Sequence, residues 1–141
     1  MHNLIRPILL IEDNPVDIDL TRRAFIKRKV ANPIEVARDG EEALAVISRW
    51  PTDGLIPVVI LLDLKLPKID GLEVLRHLKT HPEFLTIPVV VLTSSAEDRD
   101  IQEAYHLGAN SYIVKPIDFE KFVDVVTQID LYWNVINTPA R

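Results

Sequence analysis

The chain has 141 residues, 48% of them hydrophobic, a net charge of −5 and no cysteine. That is one domain with ample core material, which excludes a disordered chain; the acidic balance argues against broad nucleic-acid binding, and the missing thiols exclude a disulfide framework or a thiolate zinc site. No apolar run reaches membrane-spanning length and residues 1–7 lack the apolar core of a signal peptide, so a cytoplasmic protein that does not engage a membrane is expected.

Ile8-Leu9-Leu10-Ile11 is the first apolar run, closed by Glu12-Asp13 and stopped by Asn14-Pro15. Pro15 suits the first turn of a helix, where an N–H has no partner to lose. Asp17 and Asp19 stand near the start of that helix, and Arg22, Arg23, Lys27, Arg28 and Lys29 toward its end, the polarity the helix dipole favours. Asn32-Pro33 breaks it. Residues 34–37 alternate as a short second strand, Asp39-Gly40 is a turn, and 41–47 read as a helix. Residues 50–57, rich in breakers, read as a loop.

Residues 58–62 are apolar without a break and run into Asp63. Such a run reads as a strand buried on both faces, in the middle of a helix-covered parallel sheet. Pro67 and Gly71 mark the following loop, and 72–79 form an amphipathic helix. Val89-Val90-Val91-Leu92 is another buried strand, ending in Thr93-Ser94-Ser95. A helix is expected from about 96 to 107, with Gly108 as its C-cap. Ser111-Tyr112-Ile113-Val114 is the fifth strand and ends at Lys115-Pro116. Asp118 can cap the last helix, where Phe119, Phe122, Val123, Val126 and Ile129 share a face.

Five strands alternating with five helices predict an α/β chain with a doubly wound, flavodoxin-like (βα)5 fold: a five-stranded parallel sheet in a three-layer sandwich. Chemistry in such folds sits at the carboxyl ends of the strands. There the chain offers Glu12-Asp13, Asp63, Thr93 and Lys115.

Three carboxylates at one point repel one another unless a cation sits among them. An oxygen-only donor set suits Mg2+ or Mn2+. Mg2+ is commonly held by few carboxylates and a phosphate, which points to a phosphorylated species. Asp63 could then act as a carboxylate nucleophile and form an aspartyl-phosphate. The Lys115 ammonium would neutralise charge on the phosphoryl oxygens, and the Thr93 hydroxyl could donate to another. Taken singly, each residue has a plainer role. Glu12 and Asp13 could cap the next helix, Thr93 could be a turn residue, and Asp63 and Lys115 could be solvated loop groups. Their joint placement at four strand ends favours the site.

Glu12-Asp13, Asp63 followed by Leu64-Lys65-Leu66-Pro67 and Asp70-Gly71, Thr93-Ser94, and Tyr112 ahead of Lys115-Pro116 resemble the receiver domain of two-component response regulators. The resemblance spans about 8 to 129. It implies that Asp63 is the phosphoacceptor and that Glu12, Asp13, Asp63 and the backbone carbonyl of Lys65 hold Mg2+ or Mn2+. Thr93 and Tyr112 would be a switch pair, Lys115 the phosphate-contacting lysine, and Pro116 a cis-proline. The chain would be a signalling protein rather than an enzyme, phosphorylated by a sensor histidine kinase, labelling itself from small phosphodonors and dephosphorylating itself.

Two features depart from a minimal receiver: a long segment over 48–57, and a C-terminal helix extension over about 130–141. With the loop His81-Pro82-Glu83-Phe84-Leu85, they resemble the small stand-alone regulators paired with cyanobacterial phytochromes. Residues 1–141 are therefore expected to be a single receiver domain with no DNA-binding output domain. Val125, Tyr132, Trp133, Val135 and Ile136 are expected to lack an intramolecular home and to join two copies as a homodimer.

Two other classes fit less well. A phosphohydrolase with an aspartate nucleophile usually carries a second acid two residues on, where this chain has Lys65. A flavin-binding module needs a phosphate-cradling loop after the first strand, and Glu12-Asp13 would repel a phosphate there.

Overall fold

In the computed structural model, which describes residues 6–136 and the side chains of 6–129, the apolar runs become five strands. They are β1 (Ile8–Ile11), β2 (Ile34–Ala37), β3 (Val59–Leu62), β4 (Val89–Thr93) and β5 (Ser111–Val114). Between and after them lie α1 (Pro15–Lys27), α2 (Gly40–Asp53), α3 (Gly71–Lys79), α4 (Asp98–Leu107) and α5 (Phe119–Ile136). All strand pairs are parallel and the order is β2-β1-β3-β4-β5, which puts β3 at the centre.

Successive side chains of a strand point to opposite faces. An all-apolar strand therefore feeds two cores. Leu9, Ile11, Ile60, Leu62, Val89 and Val91 join the core on the side of α2, α3 and α4, with Ile47, Leu75 and Ala104. Ile8, Leu10, Val59, Leu61, Val90 and Leu92 join the core on the side of α1 and α5, with Phe25, Phe122 and Val126. Each buried aliphatic side chain contributes roughly 1.5–3 kcal/mol. The result is the three-layer sandwich expected, with Asp63 the first polar residue after a strand that has no exposed face.

Local boundaries follow from side-chain caps. Asn14 accepts hydrogen bonds from the Val16 and Asp17 N–H groups, with Pro15 opening α1 as anticipated. Asp118 accepts from Lys121 N–H at the start of α5. The helix expected from about 96 begins later, at Asp98, because the Ser95 hydroxyl accepts the Glu97 N–H and holds the preceding turn.

The segment expected to be a loop from 50 is helical to Asp53. Trp50 is 2% exposed, and its ring meets Phe84 edge-on at 5.0 Å. Pro51 lies inside the helix and forfeits one backbone hydrogen bond. Burial of an indole, on the order of 4 kcal/mol, offsets that loss. Gly54 ends the helix in the left-handed conformation at φ 69°, its N–H donating to the Trp50 carbonyl.

Val125, expected to lack a home, packs against the core beside α1 and α5. Helix α5 continues to Ile136, but the side chains of Tyr132, Trp133, Val135 and Ile136 lie outside the described residues. Among the described residues, no helix is long and apolar enough to cross a membrane.

Candidate functional site

The hydrogen-bond ladder of the sheet runs one residue past several strands. Glu12 N–H donates to Ala37 O, Asp63 N–H to Ile11 O, and Lys115 N–H to Thr93 O, at 2.9, 3.0 and 2.8 Å. The backbone under each charged group is thus as fixed as the sheet. Their side chains meet in a cleft of about 590 Å3 at the carboxyl edge, lined also by Asp13, Asp17, Lys65 and Ser94.

Asp63 is 5% exposed. Its Oδ1 accepts from Lys65 N–H at 3.0 Å, and its Oδ2 lies 3.1 Å from the Lys115 ammonium. Gly71 makes this loop possible, because a Cβ there would collide with the Asp63 carbonyl and the Leu64 backbone. Its N–H donates to Leu64 O at 3.0 Å, closing the turn.

Lys115 also donates to Glu12 Oε1 at 2.8 Å and to Asp17 Oδ2 at 2.7 Å. Glu12, Asp13 and Asp63 each offer a carboxylate oxygen, all within 4.8 Å of one another. Glu12, Asp17 and Asp63 surround the Lys115 ammonium, and Asp13 adds a fourth carboxylate to the cleft. That hard-oxygen set and its excess negative charge fit a divalent cation.

Thr93 is fully buried at the end of β4, and its Oγ1 accepts the Ser95 N–H at 3.4 Å. The Tyr112 hydroxyl donates to the Ser95 carbonyl at 2.8 Å. Ser95 therefore joins the two residues that sequence singled out as a pair. Its own hydroxyl donates to Asp100 Oδ2 at 2.5 Å, and the Lys65 ammonium lies 3.5 Å from the same oxygen. The Lys115–Pro116 peptide is cis, as the resemblance implies.

The family model for the response regulator receiver domain matches residues 8–127. The chain belongs to that family. It is 43% identical over 127 residues to the probable methanogenesis regulatory protein FilR2 of Methanothrix harundinacea, spanning 89% of this chain and 82% of that protein. The crystal structure of the phosphorylated cyanobacterial phytochrome response regulator RcpA superposes with a TM-score of 0.83 at 37% identity, covering 97% of this chain and all of that one. The Mn2+-bound form of response regulator Rcp1 superposes with a TM-score of 0.81 at 34% identity, covering 96% and 99%. The chain is thus a phosphoaccepting receiver of a two-component system, with a histidine kinase as its partner.

In this receiver the buried charges act on one another at hydrogen-bond distance. Burial pushes the Glu12 carboxyl up to about 7; the Lys115 hydrogen bond opposes that and the Asp63 charge adds to it. Burial works against the Lys115 charge, but its hydrogen bonds to Asp17 and Glu12 outweigh this and raise its pKa above the ordinary lysine value. Desolvation raises the Tyr112 phenol, against the pull of its hydrogen bond to Ser95. The Ser95 hydrogen bond holds the Asp100 carboxyl below the usual range, with the nearby Lys65 charge assisting.

All the residues anticipated from sequence lie at this edge of the sheet. Glu12, Asp13, Asp63, Lys65 and Lys115 line the cleft, while Thr93 and Tyr112 flank Ser95 beside it. Three participants went unnoticed. Asp17 had a sufficient local explanation in the helix dipole. Ser95 stands in the polar run Thr93-Ser94-Ser95 at the end of β4, with no local signal to set it apart. Asp100 did leave a signal: it shares the buried stripe of α4 with Ala104 and Leu107, where a carboxylate needs a partner.

Proposed function

We propose that Asp63 is the phosphoacceptor of this receiver and that its donor is a sensor histidine kinase of the phytochrome type. One observation carries the assignment: Asp63 is the carboxylate common to the acidic cluster and to Lys115. An Asp63 oxygen attacks the phosphorus, the P–N bond to the kinase imidazole breaks, and the imidazole keeps the electron pair. Glu12, Asp13, Asp63 and the Lys65 carbonyl would hold Mg2+ or Mn2+, which when bound supplies positive charge to the phosphoryl oxygens. Lys115 supplies charge from the opposite side, and the Thr93 hydroxyl donates to a phosphoryl oxygen. The phytochrome link is supported by the likeness to RcpA.

The same chemistry would let small phosphodonors label the protein and water remove the label. Residues 1–141 would act as one receiver unit, with Thr93 and Tyr112 as the switch. A net charge of −5 supports a protein target rather than nucleic acid, and a chain without cysteine fits a reducing cytoplasm. Tyr132 and Trp133 on α5, with Val135 and Ile136, would join two copies, matching the two chains of a dimeric kinase.

The test is incubation with acetyl phosphate and Mg2+, and separately with candidate kinases, followed by intact-mass spectrometry. One phosphoryl group is expected on the native protein and none on Asp63→Asn. Undiminished labelling of that variant would sink the assignment.

A further inference from the structure

Asp100 is a buried carboxylate that touches none of the reacting atoms in phosphoryl transfer to Asp63. It lies in the first turn of α4 and is 4% exposed. Its Oδ2 receives the Ser95 hydroxyl at 2.5 Å and stands 3.5 Å from the Lys65 ammonium. Lys65 is two residues past Asp63, donates its N–H to Asp63 Oδ1, and lines the cleft. Its stem thus sits at the rim of the site while its charge is turned away, toward α4.

A lysine so placed has two resting points. One is Asp100. The other lies over Asp63, where its ammonium would pair with phosphoryl oxygens and stand in the way of incoming water. Coulomb attraction toward a dianionic phosphoryl group is strong, so an ammonium without another anchor would move there. Asp100 is that anchor, and the Ser95 hydroxyl fixes its orientation.

We propose that Asp100 is a positioning residue that holds the Lys65 ammonium off the phosphoryl group on Asp63 and so keeps the group's hydrolysis fast. This rests on the reading of Asp63 as phosphoacceptor. In the hydrolysis a water oxygen bonds to phosphorus and the P–O bond to Asp63 breaks. The Asp63 carboxylate leaves with the electron pair, and the water proton passes to the released phosphate or to solvent. Asp100 touches none of these atoms. It acts through where Lys65 rests.

The test uses the full chain labelled with acetyl phosphate and Mg2+, freed of donor, and followed by intact mass. Asp100→Asn should lengthen the phosphoryl half-life by roughly fivefold, the scale of a partly screened charge-assisted hydrogen bond. Lys65→Met sets its own reference half-life, whatever its value, because it removes the ammonium through which Asp100 is proposed to act. The double variant should return to the Lys65→Met value. An unchanged half-life in Asp100→Asn, or a lengthening that survives in the double variant, would overturn the proposal. A merely structural role for Asp100 predicts that second result, since it has no need of Lys65. If Asp100→Asn melts far below the native protein, Asp100→Ser keeps a partner for the Ser95 hydroxyl and carries the same comparison. A native protein that gains no phosphoryl mass would remove the Asp63 reading and the proposal together; labelled protein with unaltered lifetimes would remove the proposal alone.

Discussion

Lys115 reaches across 98 residues of sequence to place its ammonium 2.7 Å from the Asp17 carboxylate. It sits 3.1 Å from Asp63 at the same time. Asp17 therefore shares the positive charge that would otherwise bear wholly on Glu12 and Asp63. Asp17→Asn should concentrate that charge on the two candidate metal ligands and weaken Mg2+ binding by about threefold, the size of a partly exposed ion-pair change. Asp19→Asn is the control, since Asp19 is exposed and pairs with Arg23 within α1. Isothermal titration decides it. Equal Mg2+ affinity in both variants and the native chain would show that Asp17 has no part in the charge balance.

Mg2+ should stabilise the unphosphorylated protein. Glu12, Asp13 and Asp63 gain a shared counter-ion only when the fold brings them together. At ten times the dissociation constant the gain is about 1.4 kcal/mol by mass action. Asp13→Asn should remove most of it. The measurement is thermal melting against an ionic-strength-matched control, and a midpoint indifferent to Mg2+ would count against the site.

The Glu12 carboxyl gives the metal-free protein a distinct pH profile. Its folded pKa is raised to about 7 from an ordinary 4.5. A raised acid favours folding while it stays protonated. Its contribution is full below about pH 4.5 and is lost as the pH climbs through 7, a change of up to about 3 kcal/mol. Without metal, the native protein should lose more stability between pH 6 and pH 8 than Glu12→Gln does. Urea unfolding at the two pH values would show it, and parallel losses in both proteins would refute it.

Pro51 sits in the last turns of α2 with no N–H to give. Pro51→Ala would restore that donor at a position already helical, and Trp50 would still anchor the segment against Phe84. Stability should rise by about 1 kcal/mol, less than the full cost of an interior proline because the site lies near the helix end. A drop in the urea midpoint would mean that the proline ring packs better than its geometry costs.

That helix also shows what the amino-acid order could and could not reveal. Strands β1, β3 and β4 were legible because each rests on a short, unbroken apolar run closed by a polar residue, and β2 because it alternates. The placement of Glu12, Asp13, Asp63, Thr93 and Lys115 followed directly, since strand ends of a parallel sheet share one edge. The end of α2 was not legible. Trp-Pro-Thr-Asp-Gly is a breaker cluster locally, and the burial of Trp50 in the core, against Phe84 from a distant loop among others, favours helix there. Asp17, Ser95 and Asp100 were hidden for the same reason. Their partners Lys115, Tyr112 and Lys65 arrive from other segments.

The Thr93–Ser95–Tyr112 chain of contacts leads to the last prediction. Thr93 Oγ1 is tied to the Ser95 N–H, and the Ser95 carbonyl receives the Tyr112 hydroxyl. A phosphoryl group on Asp63 would offer the Thr93 hydroxyl an anionic acceptor. Any movement of the Thr93 hydroxyl toward it would release the Ser95 N–H and shift the carbonyl that Tyr112 holds. The Tyr112 ring is half-buried and tilted against Tyr105 at 6.4 Å, so such a shift would change its surroundings. Thr93→Ala should still be phosphorylated, because Asp63 and Lys115 are untouched, but it should lose the transmission. With fluorotyrosine incorporated, the Tyr112 fluorine resonance, assigned through Tyr112→Phe, should move on phosphorylation of the native protein and stay in place in Thr93→Ala. An equal displacement in both would show that the signal reaches Tyr112 by a path that does not pass through the Thr93 hydroxyl.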